Sequence, residues 1–177
     1  MSTPPFRLEP LSQHHLDAVA EVVLDPEVRR FTRFPDPPDP DFPARWIARY
    51  ARGRDEGTCE AFAAVDDDGV FLGTGMAPHI DREGHEMELG YLVAPAARGR
   101  GVGSEILRRL TRWALDEADA QRVYLLIAVE NVASQRVAER AGYVREGVLR
   151  SMHLKGGLRG DTVVYSRLPS DDGVRPL

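Results

Sequence analysis

The sequence predicts one α/β domain, a mixed β-sheet with helices packed on both faces. Near residue 58 the hydrophobic pattern shifts from helical spacing to alternation. A strand, a glycine-rich loop, a long helix and a second strand then follow one another between residues 87 and 129. Hairpin strands continued by a βαβ unit give a mixed sheet, because a parallel pair needs such a crossover. The 177 residues are enough for one sizeable core and few for two domains. A single domain over residues 1–168 and a polar tail over 169–177 are expected.

The first third reads as mostly helical. Leu11, Leu16, Val19, Ala20 and Val23 recur at helical spacing around Ser12, whose hydroxyl suits an N-cap. Asp25-Pro26 places a capping carboxylate before proline at the first helical position, so a short second helix starts there. The run Pro35-Asp36-Pro37-Pro38-Asp39-Pro40 denies the backbone both helix and central strand, and must be a loop. Trp46, Ile47, Tyr50 and Ala51 mark the apolar face of a third helix.

From there the pattern alternates. Residues 58–65 and 70–80 form a hairpin around Asp67-Asp68-Gly69. A second turn at Arg82-Glu83-Gly84-His85 leads into a strand over 87–93, which Pro95 closes. After the loop at 98–103 comes a helix that turns Ile106, Leu107, Leu110, Trp113 and Ala114 inward. A strand over 123–129, a short helix over 134–141 and strands over 143–149 and 162–168 complete the domain.

Composition excludes several functions. The chain carries 23 Lys and Arg against 28 Asp and Glu, a net charge of −5. Non-specific nucleic-acid binding needs clustered positive charge, so no direct nucleic-acid partner is expected. No apolar run approaches the roughly 18 residues of a membrane-spanning helix, and the N-terminus lacks the profile of a secretory leader. Cys59 is the sole cysteine, so no internal disulfide can form, and a reducing, cytoplasmic setting is expected. Cys59 suits a small buried core position. His14, His15, His79, His85 and His153 show no metal-ligand spacing, and no metal is expected.

Gly99, Gly101 and Gly103 lie between a strand and a helix. A helix N-terminus offers free N–H groups and partial positive charge, and glycine lets a phosphate come close to the backbone. Arg98 and Arg100 add donors suited to phosphate. A dinucleotide-binding fingerprint would need a third glycine where Ser104 stands, and no lysine is present for a nucleoside-triphosphate loop. The loop therefore reads as a pyrophosphate cradle of another kind.

Arg98, Gly101 and Gly103 match the coenzyme A signature of the GNAT acetyltransferase superfamily, Gln/Arg-x-x-Gly-x-Gly/Ala. Five further stretches resemble its RimJ/RimL-type branch, which acetylates protein N-termini, ribosomal ones included. They are Glu88-Leu89-Gly90-Tyr91, Asn131-x-x-Ser134, Ala141-Gly142-Tyr143, Glu146-Gly147-Val148-Leu149-Arg150 and Gly160-Asp161-Thr162-Val163-Val164-Tyr165. The resemblance implies a GNAT fold, a mostly antiparallel sheet of about seven strands splayed between the fourth and fifth. It also implies a bound acetyl-coenzyme A. Backbone amides of Arg98, Gly99, Arg100, Gly101, Val102, Gly103 and Ser104 would hold its pyrophosphate. Leu92 and Val93 would flank the pantetheine, Asn131 would hydrogen-bond it, and Ser134 would lie near the sulfur.

The resemblance is incomplete where the chemistry is sharpest. Many members of the superfamily carry a tyrosine acid seven residues after the asparagine, and some carry a glutamate five residues before it. Here those positions are Ala138 and Leu126. Glu88 is the candidate base and Ser134 the candidate group at the thiol. Their plainer alternatives are a solvated strand carboxylate and a helix cap. His153 is read as surface or structural ahead of any role in an acceptor pocket.

The expected reaction is direct acetyl transfer to an amine in a ternary complex. An α-amino group, with a pKa of about 8, is roughly a tenth neutral at pH 7, whereas lysine at about 10.4 is neutral far less often. A protein or peptide N-terminus is thus the first acceptor expected, with small-molecule amines such as antibiotics or polyamines as the alternative. A catalytically silent acetyl-coenzyme A sensor is the rival of a different class. A homodimer is left open.

Overall fold

The computed structural model describes residues 4–37 and 39–172. Among them a seven-stranded sheet is formed by β1 (Phe6–Pro10), β2 (Glu60–Asp66), β3 (Phe71–Asp81), β4 (Glu86–Val93), β5 (Arg122–Ala128), β6 (Val144–Lys155) and β7 (Leu158–Arg167). The spatial order is β1-β2-β3-β4-β5-β7-β6. Every neighbouring pair is antiparallel except β4 with β5. This is the GNAT architecture, with its parallel pair at the βαβ unit where the sequence placed it.

The helices are α1 (Leu16–Leu24), α2 (Pro26–Phe31), α3 (Phe42–Glu56), α4 (Val102–Arg112) and α5 (Val132–Arg140). On one face, Val19, Val23, Trp46, Ile47 and Tyr50 from α1 and α3 pack against Ala61, Ala63 and Val65 of β2. On the other, Leu107 and Leu110 of α4 and Ala138 of α5 cover Met87, Leu89, Val123, Leu125 and Val163. Strand alternation decides the allocation. Met87 and Leu89 turn toward α4, so Glu88 between them turns toward α3.

Local chemistry explains the element ends. Asp25 Oδ1 accepts from the backbone N–H of Glu27 and of Val28, both at 3.0 Å, and so caps α2 ahead of Pro26. In the first hairpin Asp66 Oδ1 accepts from the N–H of Asp68 and of Val70 at 3.1 and 2.8 Å. The chain after Ser12 first makes a short 3₁₀ turn (Gln13–His15) and only then α1. The apolar face of α3 buries Trp46, Ile47 and Tyr50, while Ala51 is only partly covered.

The structure adds to three expectations. The N-terminal third is not wholly helical: β1 pairs with β2 from Phe6↔Asp66 to Pro10↔Phe62. The last two strands are longer than their sequence pattern suggests and form a hairpin through Gly156 and Gly157, both at positive φ. The tail begins with a 3₁₀ turn over Pro169–Asp172, where the Leu168 N–H donates to Asp171 Oδ2 at 2.8 Å. Residues 173–177 of the expected tail, and Pro38 of the expected loop, lie outside the described residues.

Candidate active site

The parallel pairing of β4 with β5 covers only Glu86–Glu88 against Arg122–Tyr124. Both strands then continue, β4 held by β3 and β5 held by β7 on their outer edges. Their inner edges part after Glu88 and open a cleft of about 530 Å³. Residues 89–93 and 125–128 line it. The backbone groups on these inner edges have no strand partner there, and an extended amide-bearing chain suits them.

The glycine-rich loop closes one end of the cleft. Gly99 (φ 72°) and Gly101 (φ 78°) adopt the left-handed conformation, and Gly101 is the N-cap of α4. A Cβ on Gly99 would meet nothing within 4 Å, so its requirement is conformational. Gly103 has a different reason. Its Cβ would stand 2.9 Å from Tyr91 Cε2 and 3.2 Å from Val93 Cγ2, so this glycine lets α4 pack closely on β4. Val102 and Ser104 are buried in the same turn. The first turn of α4 leaves its N–H groups available to an anion.

The two arginines of the loop behave differently from the sequence expectation. Arg98 lines the cleft, yet its guanidinium is bound to Asp25 Oδ1 at 3.0 Å and Glu27 Oε2 at 3.4 Å. Burial alone would raise the Asp25 pKa, but Arg98 and the two cap N–H groups hold it below the usual range. Arg98 thus ties the N-terminus of α2 to the loop. Arg100 is exposed and does not line the cleft.

Asn131 and Ser134 stand on the facing wall. Asn131 caps α5, its Oδ1 accepting from the Ser134 N–H at 3.1 Å, which leaves its Nδ2 as a donor. Ser134 is therefore not the cap. Its Oγ is joined to Tyr91 Oη by a hydrogen bond of 3.0 Å. Burial pushes the Tyr91 pKa up to about 12, against a smaller lowering by Ser134. Leu92 and Val93 line the β4 side of the same cleft.

Tyr91 was missed as a site residue by sequence reasoning, as were Arg136 and Arg140, which line the cleft from α5. The two arginines are spaced to share one helix face behind Ser134, and that spacing was a usable signal. Tyr91 alternates with Leu89 and Val93, but its partner is 43 residues away. No local pattern reveals that contact.

Glu88 is not in the cleft lining. It sits at the last paired position, opposite Tyr124 on β5 and His79 on β3. Burial raises its carboxyl pKa above the ordinary range, opposed by Arg33, His79 and Arg49. Glu88 and the Tyr91–Ser134 pair thus occupy opposite faces of the sheet, with the parting strands between them. Ala138 is fully buried, and Tyr143 is engaged by Thr111 Oγ1 at 2.6 Å. Cys59 is buried. Among the described residues no three His, Cys, Asp or Glu side chains are placed to hold a metal ion, and no helix is long and apolar enough to cross a membrane.

A family model described as an acetyltransferase (GNAT) domain matches residues 6–144. The N-acetyltransferase YdaF of Bacillus subtilis is 33% identical over 101 residues, which are 57% of this chain and 55% of that protein. The chain spans about half the length of the curated relatives it matches first. Among solved structures, RimL, a ribosomal L7/L12 α-N-protein acetyltransferase in complex with coenzyme A, superposes with a TM-score of 0.86 at 18% identity, over 95% of this chain and 96% of that one. A Vibrio cholerae spermidine N-acetyltransferase in complex with CoA and spermine gives 0.82 at 19% identity, over 94% and 96%. At such identities the likeness is one of fold.

Proposed function

The chain belongs to the GNAT acetyltransferase family, and from that premise we propose that it transfers the acetyl group of acetyl-coenzyme A to a protein or peptide N-terminal α-amino group. The observation that carries this reading is the parting of β4 and β5 immediately after Glu88. It gives a cleft on the α4–α5 face and leaves a half-buried carboxylate on the α3 face at the last paired position.

The residues present fit acetyl-coenzyme A. The α4 N-terminus with Gly99 and Gly101 suits a pyrophosphate, and the unpaired strand edges suit the amides of a pantetheine arm. Asn131 Nδ2 adds a side-chain donor to that arm. Arg136 and Arg140 supply the cleft with positive charge that the paired Arg98 does not. Bound there, the cofactor supplies an already activated acetyl thioester.

The protein's own contribution is then alignment and two polar contacts. Glu88 accepts a proton from the incoming ammonium, and its raised pKa brings it nearer to that of the amine. Tyr91, a neutral phenol at working pH, shares a hydrogen bond with Ser134 in which either hydroxyl can donate. With Tyr91 as the donor, the Ser134 hydroxyl proton is left to point at the departing sulfur. A thiol of pKa about 8.5 is a tolerable leaving group, so hydrogen bonding rather than full proton transfer suffices. Release of coenzyme A should accompany a 1:1 acetyl mass gain on N-terminal peptides. Binding of acetyl-coenzyme A with no transfer to any peptide or amine would favour the silent sensor instead.

A further inference from the structure

On the Glu88 face, the turn between α2 and α3 meets the tip of the β6–β7 hairpin, where Lys155 Nζ donates to the Phe34 carbonyl oxygen at 2.5 Å. A second cavity opens at this junction, lined by Arg33, Phe34, Asp36, Met152, Lys155 and Arg159 among others. Its carboxylate is already committed, because Asp36 is bound by Arg29 at 3.1 Å. Arg159 donates to the Ser151 carbonyl oxygen at 2.8 Å. Bonds to neutral carbonyls engage one donor each of Arg159 and Lys155 without cancelling their charge.

Arg33 is exposed and has neither hydrogen bond nor ion pair with any described residue. Its charge reaches both Glu88 and His153, so it links the carboxylate to the hairpin. His153 Nε2 is buried there without a partner. Glu130 also acts on His153, from an exposed position at the end of β5. The chain as a whole is acidic, at −5. An excess of cations at one cavity, one of them acting on Glu88, is therefore a local feature and not a reflection of composition.

We propose that this cavity is the acceptor's second subsite, and that it selects the N-terminus of an acidic peptide. The α-amino group would lie at Glu88, with the side-chain carboxylates of the next residues against Arg33, Lys155 and Arg159. The inference rests on the acetyl-transfer reading above. An anion gives Arg33 the direct ion-pair partner it lacks among the described residues. A polyamine would bring a second ammonium to a place where three cations stand uncancelled, and like-charge juxtaposition discriminates against a ligand.

The test is a competition at saturating acetyl-coenzyme A. Serine-initiated peptides with acidic, neutral or basic residues at the second to fourth positions, free glutamate and spermidine are compared by coenzyme A release. Acidic peptides should lead neutral ones by about fivefold in kcat/KM, through KM, and the lead should shrink as ionic strength rises. Arg33→Ala should bring the acidic and neutral peptides to the same KM, whatever its effect on kcat through Glu88, and Arg33→Glu should favour the basic peptide. Arg159→Ala checks the hairpin side of the cavity by the same readout. Equal turnover of all peptides, preference for spermidine or free glutamate, or an order that survives Arg33→Glu overturns this inference and leaves acetyl transfer standing. If no amine of any charge releases coenzyme A, acetyl transfer itself falls and the inference with it.

Discussion

Two residues carry the chemistry through contacts that can be broken singly. Tyr91→Phe removes the hydroxyl bonded to Ser134, and Ser134→Ala removes the group it orients. Each should lower kcat by about three- to tenfold, the worth of one hydrogen bond, with acetyl-coenzyme A affinity little changed. Because they act as a unit, the double variant should be no worse than Ser134→Ala alone. Additive losses in kcat would show that they act separately. Glu88 makes a prediction of opposite signs. Its folded pKa lies above the unfolded value, so the native state loses stability as pH rises through that range and the ionised carboxylate is a burden at neutral pH. Glu88→Gln should therefore hold or raise the melting temperature at pH 7. It should also slow turnover, and partial recovery is expected at alkaline pH, where the free amine is abundant. A variant that tracks the parent rate from pH 6 to 9 would make Glu88 a structural residue.

At the scale of elements, the glycine-rich loop separates two roles that its sequence merges. Gly99 needs only a left-handed backbone, so Gly99→Asn should fold well, whereas Gly99→Val should cost about 1–2 kcal/mol. Gly103 needs room against β4, so Gly103→Ala should cost about 1–3 kcal/mol and disturb the Tyr91 ring. Thermal melts with cofactor titration check both, and equal effects at the two positions would contradict this division. The elements themselves were largely legible. Asp25-Pro26, the first hairpin turn and the periodicity of α3 and α4 were local signals, and local signals located them. β1 was not, because five residues ending in proline say little until β2 lies beside them. The full β6–β7 hairpin was not legible either, since β6 is exposed along nearly its whole length and carries no alternation to read.

Across the whole molecule, what escaped the sequence is what depends on distant partners. Arg98 looks like a phosphate ligand until Asp25 and Glu27 are found against it, and Tyr91 shows no role until α5 brings Ser134 to its hydroxyl. The cleft is itself such a property, because only the assembled sheet shows that β4 and β5 pair at Glu86–Glu88 and then part. That parting is the central claim, and amide hydrogen exchange with and without acetyl-coenzyme A tests it most directly. Protection should appear together in three segments, 89–93, 98–104 and 125–128, while the α1–α3 helices stay unchanged without an acceptor. Protection that misses the two strand edges, or falls on the α3 face alone, would contradict the account.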